Sequence, residues 1–175
     1  SMESVPEQGF LFAFSAKTRS SLMAYLERVQ AMLSSDDSLT DLSLTHLAYS
    51  LRRLNHNLEQ RAVLIASSLD ELQQGLTHLL EGLTESQANG VFITAESSGE
   101  IPALADCQAA MAQGGIDDAA RLWVAGGEFD IFEAVEPLAG QLLSLPSYCF
   151  DHDKVFRFTS EELLQESSED DALFN

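Results

Sequence analysis

The sequence predicts a small α+β (α/β) domain, and three observations point there. Short β-rich runs recur at residues 10–14 (FLFAF), 61–66 (RAVLIA) and 91–95. Between them lie stretches whose apolar residues recur every three or four positions, the spacing of a helix with one buried face. The chain has 175 residues, 45% of them apolar, so it can bury a core without disulfides or metal. The order reads β, α, α, β, α, β, α, α, then an extended arm.

Residues 1–9 read as a flexible lead-in, with Ser1-Met2 expected to be a tag remnant ahead of a native start in a piece of something longer. Phe10, Phe12 and Phe14 share one face of the first strand, because strand side chains alternate. Ser15 and Thr18 are candidate caps for a helix reaching about Leu33, with Leu22, Tyr25, Leu26, Val29, Met32 and Leu33 as its stripe. A second helix starts near Thr40 or Asp41 and buries Leu44, Leu47, Ala48, Leu51 and Leu54. Residues 55–57 form a turn before the second strand. Ser68 and Glu71 have the spacing of a capping box, and the helix behind them uses Leu69, Leu72, Leu76, Leu79, Leu80 and Leu83. Asn89-Gly90 is a turn into the third strand. Pro102 can open a helix at its first position, running to about Gln113. Gly114-Gly115 separates it from a helix over 117–125, which Gly126-Gly127 stops. Phe129, Ile131, Phe132 and Val135 suggest a further helical turn or two. Pro137, Gly140 and Pro146 imply an extended arm to Phe150.

Charge narrows the function. Twenty-eight acids against nine bases leave a net charge of −19. That field repels phosphate backbones and anionic lipid and attracts basic protein surfaces, so neither nucleic acid nor membrane is an expected partner. No apolar run approaches the roughly 20 residues needed to cross a bilayer. Cys107 and Cys149 make neither a disulfide framework nor a metal spacing, which fits a reducing cytoplasm.

No catalytic constellation emerges. His46, His56, His78 and His152 lack the four-residue spacing that sets two ligands on one metal. Asp151-His152-Asp153 is more readily a solvated turn, since neighbouring side chains in an extended segment point apart. Cys149 and His152 are close in sequence, which does not orient a thiol-imidazole pair. The two glycine pairs lack the further glycines and the lysine of a phosphate cradle. No cofactor and no metal is expected.

Four segments in order carry a resemblance: LFAFSAKTRSSLMAYLERVQAML, LTHLAYSLRRLNHNLEQRAVLIASSLDELQQGL, ARLWVAGGEFD and LPSYCF. Together, over residues 10–156, they resemble the linker that follows the ketosynthase in modular type I polyketide synthases. They match its Ser-Ala-Lys-Thr strand end, its arginine before the second strand, its tryptophan with a glycine turn and acid, and its closing Leu-Pro-Thr-Tyr-Pro-Phe arm. Ser147 and Cys149 depart from that arm, Ile131 stands where tryptophan is common, and Asp151, Asp153, Val155 and Phe156 replace its basic and Tyr-Trp ending.

The resemblance implies a sheet of about three short strands with helices packed on one face, plus the extended arm. The arm runs into an acidic stretch with no acyltransferase inserted before it, as in trans-acyltransferase synthases. There the remnant is called an acyltransferase docking domain. The implied function is a non-catalytic, cytoplasmic, monomeric scaffold in antibiotic biosynthesis. Its implied partners are a ketosynthase domain, a trans-acting acyltransferase and with it an acyl carrier protein. Alternatives are a ketosynthase-to-acyltransferase linker of a cis-acyltransferase synthase, and a small enzyme with an unrecognised site. The partner-binding candidates are Trp123, Leu145, Tyr148, Phe150, Leu173 and Phe174. The first four either fold back on this domain's helices or plug a neighbour, as buried aromatic anchors do. Residues 157–175 read as a flexible acidic tail, either an interdomain linker or a short motif that folds on a basic surface.

Overall fold

The computed structural model describes residues 9–54, 56–96, 99–113 and 115–134. Three strands, β1 (Phe10–Ala16), β2 (Gln60–Ala66) and β3 (Val91–Ile93), form one antiparallel sheet in the order β1-β2-β3. Among the described residues five helices surround it: α1 (Arg19–Ser35), α2 (Leu44–Leu54), α3 (Leu69–Leu80), α4 (Leu104–Gln113) and α5 (Ile116–Val124). Short 3-10 turns cover Asp41–Ser43 and Ile131–Ala134. The antiparallel pairing makes the class α+β. The arm at residues 137–150, the tail and the lead-in through residue 8 lie outside the described residues.

Local chemistry starts and stops the helices within a few residues of where the sequence marks them. Thr18, rather than Ser15, caps α1 by accepting the amide of Ser21 at 3.1 Å. Ser15 instead donates to the carbonyl of His56 at 2.8 Å. Ser68 caps α3 by accepting the Glu71 amide at 3.1 Å. Glu71 reaches back to the amide of Ser67, one residue earlier than a standard capping box, at 2.6 Å. The next free amide, that of Leu69, goes to Asp41 Oδ1 at 2.8 Å, which ties α3 to the turn before α2. α3 ends at Leu80, short of Leu83. The amide of Leu83 wraps back to His78 O at 2.9 Å and that of Gly82 to Leu79 O at 3.1 Å, the paired bonds of a Schellman stop. α4 begins at Leu104, two residues after Pro102.

The register pairs Phe10 with Ala66, Phe12 with Leu64 and Phe14 with Ala62. These six residues therefore share one face, and α1 and α3 cover it. Tyr25 of α1 meets Phe14 edge-on, with ring centroids 5.5 Å apart. Gly75 of α3 rides directly on Leu64, where a β-carbon would come within 2.8 Å of Leu64 Cδ2. The expectation of helices on a single face is corrected by the opposite side. Arg61 and Phe92 lie there, and α5 covers them through Trp123 and Arg121. Leu11 and Ala13, also on that side, are as buried as the phenylalanines. The physical reason is composition. β1 and β2 are apolar on both faces, so leaving either face open would keep a row of large apolar side chains in water.

Gly90 fixes the approach of β3. It has φ +77°, and an added β-carbon would sit 2.7 Å from the carbonyl oxygen of Ile65. That carbonyl belongs to the central strand and cannot swing away. We expect Gly90→Ala to cost about 2 kcal/mol, from backbone strain plus displacement of β3. Urea unfolding followed by circular dichroism checks it, as a lowered midpoint with an unchanged slope.

Candidate functional site

Arg61 opens the buried part of β2, and its guanidinium organises the far side of the sheet. The residue is 2% exposed. A guanidinium has five N–H donors, and here each finds an acceptor. Nε donates to Leu58 O at 2.7 Å. Nη1 donates to Trp123 O at 2.9 Å and Gly127 O at 2.7 Å. Nη2 donates to Asn57 O at 3.2 Å and Glu128 Oε1 at 3.1 Å. The cation also lies over the Trp123 ring, 5.0 Å from its centroid.

The magnitudes show which contacts matter. Glu128 leaves 74% of its side chain exposed, so the ion pair is screened and contributes at most about 1 kcal/mol. Trp123 O and Gly127 O are buried acceptors bonded to a charge, each contributing about 1.5–3 kcal/mol, and Leu58 O and Asn57 O are partly buried. Burial pulls the guanidinium below its ordinary pKa, and the charge and hydrogen bond of Glu128 oppose that.

Asn57 completes the cluster. Its Oδ1 accepts the indole N–H of Trp123 at 3.0 Å and its Nδ2 donates to Phe129 O at 3.2 Å. Thr94, just past β3, donates its hydroxyl to Val124 O at 2.8 Å while accepting the Arg61 amide at 2.9 Å. Arg19 at the start of α1 donates to Thr94 O. Gly126, with φ +110°, turns the chain out of α5, and Gly127 then packs so closely that a β-carbon would be 2.9 Å from Leu122 O and 3.0 Å from Cys107 Sγ. The arginine before the strand, the tryptophan, the glycine turn and the acid thus meet in one place.

Beside this cluster runs an open groove of about 530 Å³. Ile93 and Ile101 are among its apolar lining, and Glu59, Glu96, Glu100 and Glu128 stand exposed around it. Ile101 is 68% exposed and Leu104 60%, the large apolar side chains that face solvent among the described residues. No periodic signal could have found the groove, because its walls come from separate stretches of chain. Arg61 and Asn57 were visible only as a strand-edge arginine and a turn residue.

Of the expected partner-binding residues, Trp123 is fully buried inside the domain. It is a core side chain with its one polar atom satisfied, as in the alternative that it folds back on this domain. Leu145, Tyr148, Phe150, Leu173 and Phe174 lie outside the described residues, as do Cys149 and His152. His46 is buried in α2, where Ser50 Oγ donates to its carbonyl at 3.0 Å. His78 is half-buried on α3 and His56 exposed. Cys107 is buried, and burial pushes its thiol pKa up, away from a reactive thiolate. Among the described residues no group of three or more His, Cys, Asp or Glu could hold a metal ion.

The cluster makes a sharp stability prediction. Arg61→Lys has three donors for five acceptors and no plane to stack, so it should cost nearly as much as Arg61→Ala, about 3–5 kcal/mol. Trp123→Phe should cost about 1–3 kcal/mol by removing the hydrogen bond to Asn57 and part of a fully buried ring. Thermal and urea unfolding of the variants check the order, with circular dichroism as the probe.

Comparison with known proteins gives this arrangement a context. Residues 13–83 match the family model described as RhiE-like, KS-MAT linker domain. The chain is 30% identical over 176 residues to polyketide synthase PksR of Bacillus subtilis strain 168, which covers 96% of this chain but only 6% of that much longer protein. The fold resembles part of the ketosynthase from module 6 of the Bacillus subtilis 168 bacillaene synthase, with TM-score 0.56, 23% identity, and coverage of 74% of this chain and 25% of that one. Ketosynthase twelve of the Bacillus amyloliquefaciens bacillaene synthase is similar at TM-score 0.52 and 22% identity, over 73% of this chain and 20% of that one. The resemblance carried by the four sequence segments is thereby shown: residues 13–83 match the RhiE-like KS-MAT linker domain, within a stretch homologous to a polyketide synthase.

Proposed function

We propose that this domain is a non-catalytic scaffold of a polyketide synthase that packs beside a ketosynthase and helps recruit an acyltransferase acting in trans. The observation that supports the reading is the 30% identity to polyketide synthase PksR along 96% of this chain. The Arg61 cluster supports it: the groups one would inspect for chemistry, a buried arginine and a tryptophan, spend their bonding capacity on holding the fold. The electrostatics support it too, since a net charge of −19 steers basic protein surfaces toward the domain.

The mechanism is geometric. Weak docking raises the effective concentration of the acyltransferase near the carrier protein, with no chemical group supplied by this domain. The family description, KS-MAT linker, favours a second reading, in which the domain spaces a ketosynthase from an acyltransferase on the same polypeptide.

Calorimetric titration of the chain with candidate free-standing acyltransferases separates the two. Docking in trans predicts micromolar binding that tightens as salt is lowered. No heat at high micromolar concentration in low salt rejects recruitment and leaves the spacer reading.

A further inference from the structure

We propose that the groove between the end of β3 and the turn after α5 is an interaction surface for a partner that presents an apolar side chain flanked by lysine or arginine. Three observations converge there. The lining is partly apolar, through Ile93 and Ile101. Four exposed carboxylates, of Glu59, Glu96, Glu100 and Glu128, stand around it. Arg61, the base among its described lining residues, has every donor engaged within the domain and answers only Glu128. Glu59, Glu96 and Glu100 are thus left to face an incoming charge, while Ile101, at 68% exposure, offers apolar area that a partner can cover.

Charge selects the occupant. A second copy of the chain would bring another −19. The rest of this chain, residues 135–175, carries nine acids against two bases, Lys154 and Arg157. Both are repelled by the rim. A separate protein with a basic, apolar-tipped surface is attracted, and burying its tip on Ile101 adds a contact that salt cannot screen. Identifying that protein as the docked acyltransferase rests on the function proposed above; the chemistry of the groove does not.

The test titrates the isotope-labelled chain with three end-blocked peptides: Lys-Leu-Phe-Lys-Leu-Lys, the same pattern with Ser and Gly for the apolar residues, and Glu-Leu-Phe-Glu-Leu-Glu. The first should move the amide signals of Ile93, Ile101, Gly126 and Glu128 saturably, and about tenfold more tightly than the second, one apolar anchor's worth. Ile101→Ser and the double variant Glu96→Gln/Glu100→Gln should each weaken it about tenfold without disturbing the other signals. Shifts elsewhere, no saturation, or equal response to the acidic peptide overturn the groove. The same variants are titrated with an acyltransferase that binds the parent chain. Unchanged binding overturns the groove as the docking face and leaves docking standing. If no acyltransferase binds, saturable peptide binding in the groove upholds its preference while the docking function fails.

Discussion

A guanidinium taken out of water needs all its donors met, and this domain is arranged around meeting them. Arg61 sits at the edge of the central strand, where the backbone of a neighbouring strand cannot supply five acceptors. The acceptors come from the loop before β2 and from the carbonyls at the end of α5 and in the glycine turn. Trp123 O already takes the Gly126 amide at 3.1 Å, and the guanidinium fills its second lone pair. The buried cation thus finds its acceptors at a helix end that is already closed by its own turn. α5 is thereby held against the sheet at a fixed angle, with Trp123 trapped beneath the arginine.

That arrangement explains how a three-stranded sheet supports five helices. β2 is central and apolar on both sides, so it offers two surfaces for packing. α1 and α3 take one through the phenylalanine row, and α5 takes the β2 and β3 part of the other. The acids are correspondingly displaced outward. Among the described residues the buried charged side chain is Arg61, so the carboxylates gather on surfaces such as the groove rim. A domain with its polar bonding spent inside and its charge outside is suited to holding neighbours by contact.

Much of this was legible in the residues. Helix spacing placed the first three helices, Pro102 and the glycine pairs bracketed the last two, and Thr18 and Ser68 marked two starts, because a side chain that caps a helix acts within four residues. Alternation placed Phe10, Phe12 and Phe14 together for the same reason. What could not be read was long-range. A lone tryptophan before a glycine pair reads equally as a partner anchor or a core side chain until Asn57, 66 residues away, is seen to accept its N–H. The second helix layer was missed likewise, since nothing within α5 says which face of the sheet it will meet. The groove draws its walls from stretches with no common period, so it exists only once the cluster beside it has formed.

The strand order has a kinetic side. Pairing Phe10 with Ala66 closes a loop of about 55 residues, and seating Trp123 on Arg61 closes another of about 60, each at an entropic cost repaid only afterwards. A chain with such distant partners assembles more slowly than a helical bundle of equal size. On the ribosome the β1-β2 pair and the helices between them can form while α5 is still unmade. Until α5 emerges, Arg61 lacks the carbonyls of Trp123 and Gly127, and the part of the sheet around it stays open to misassociation.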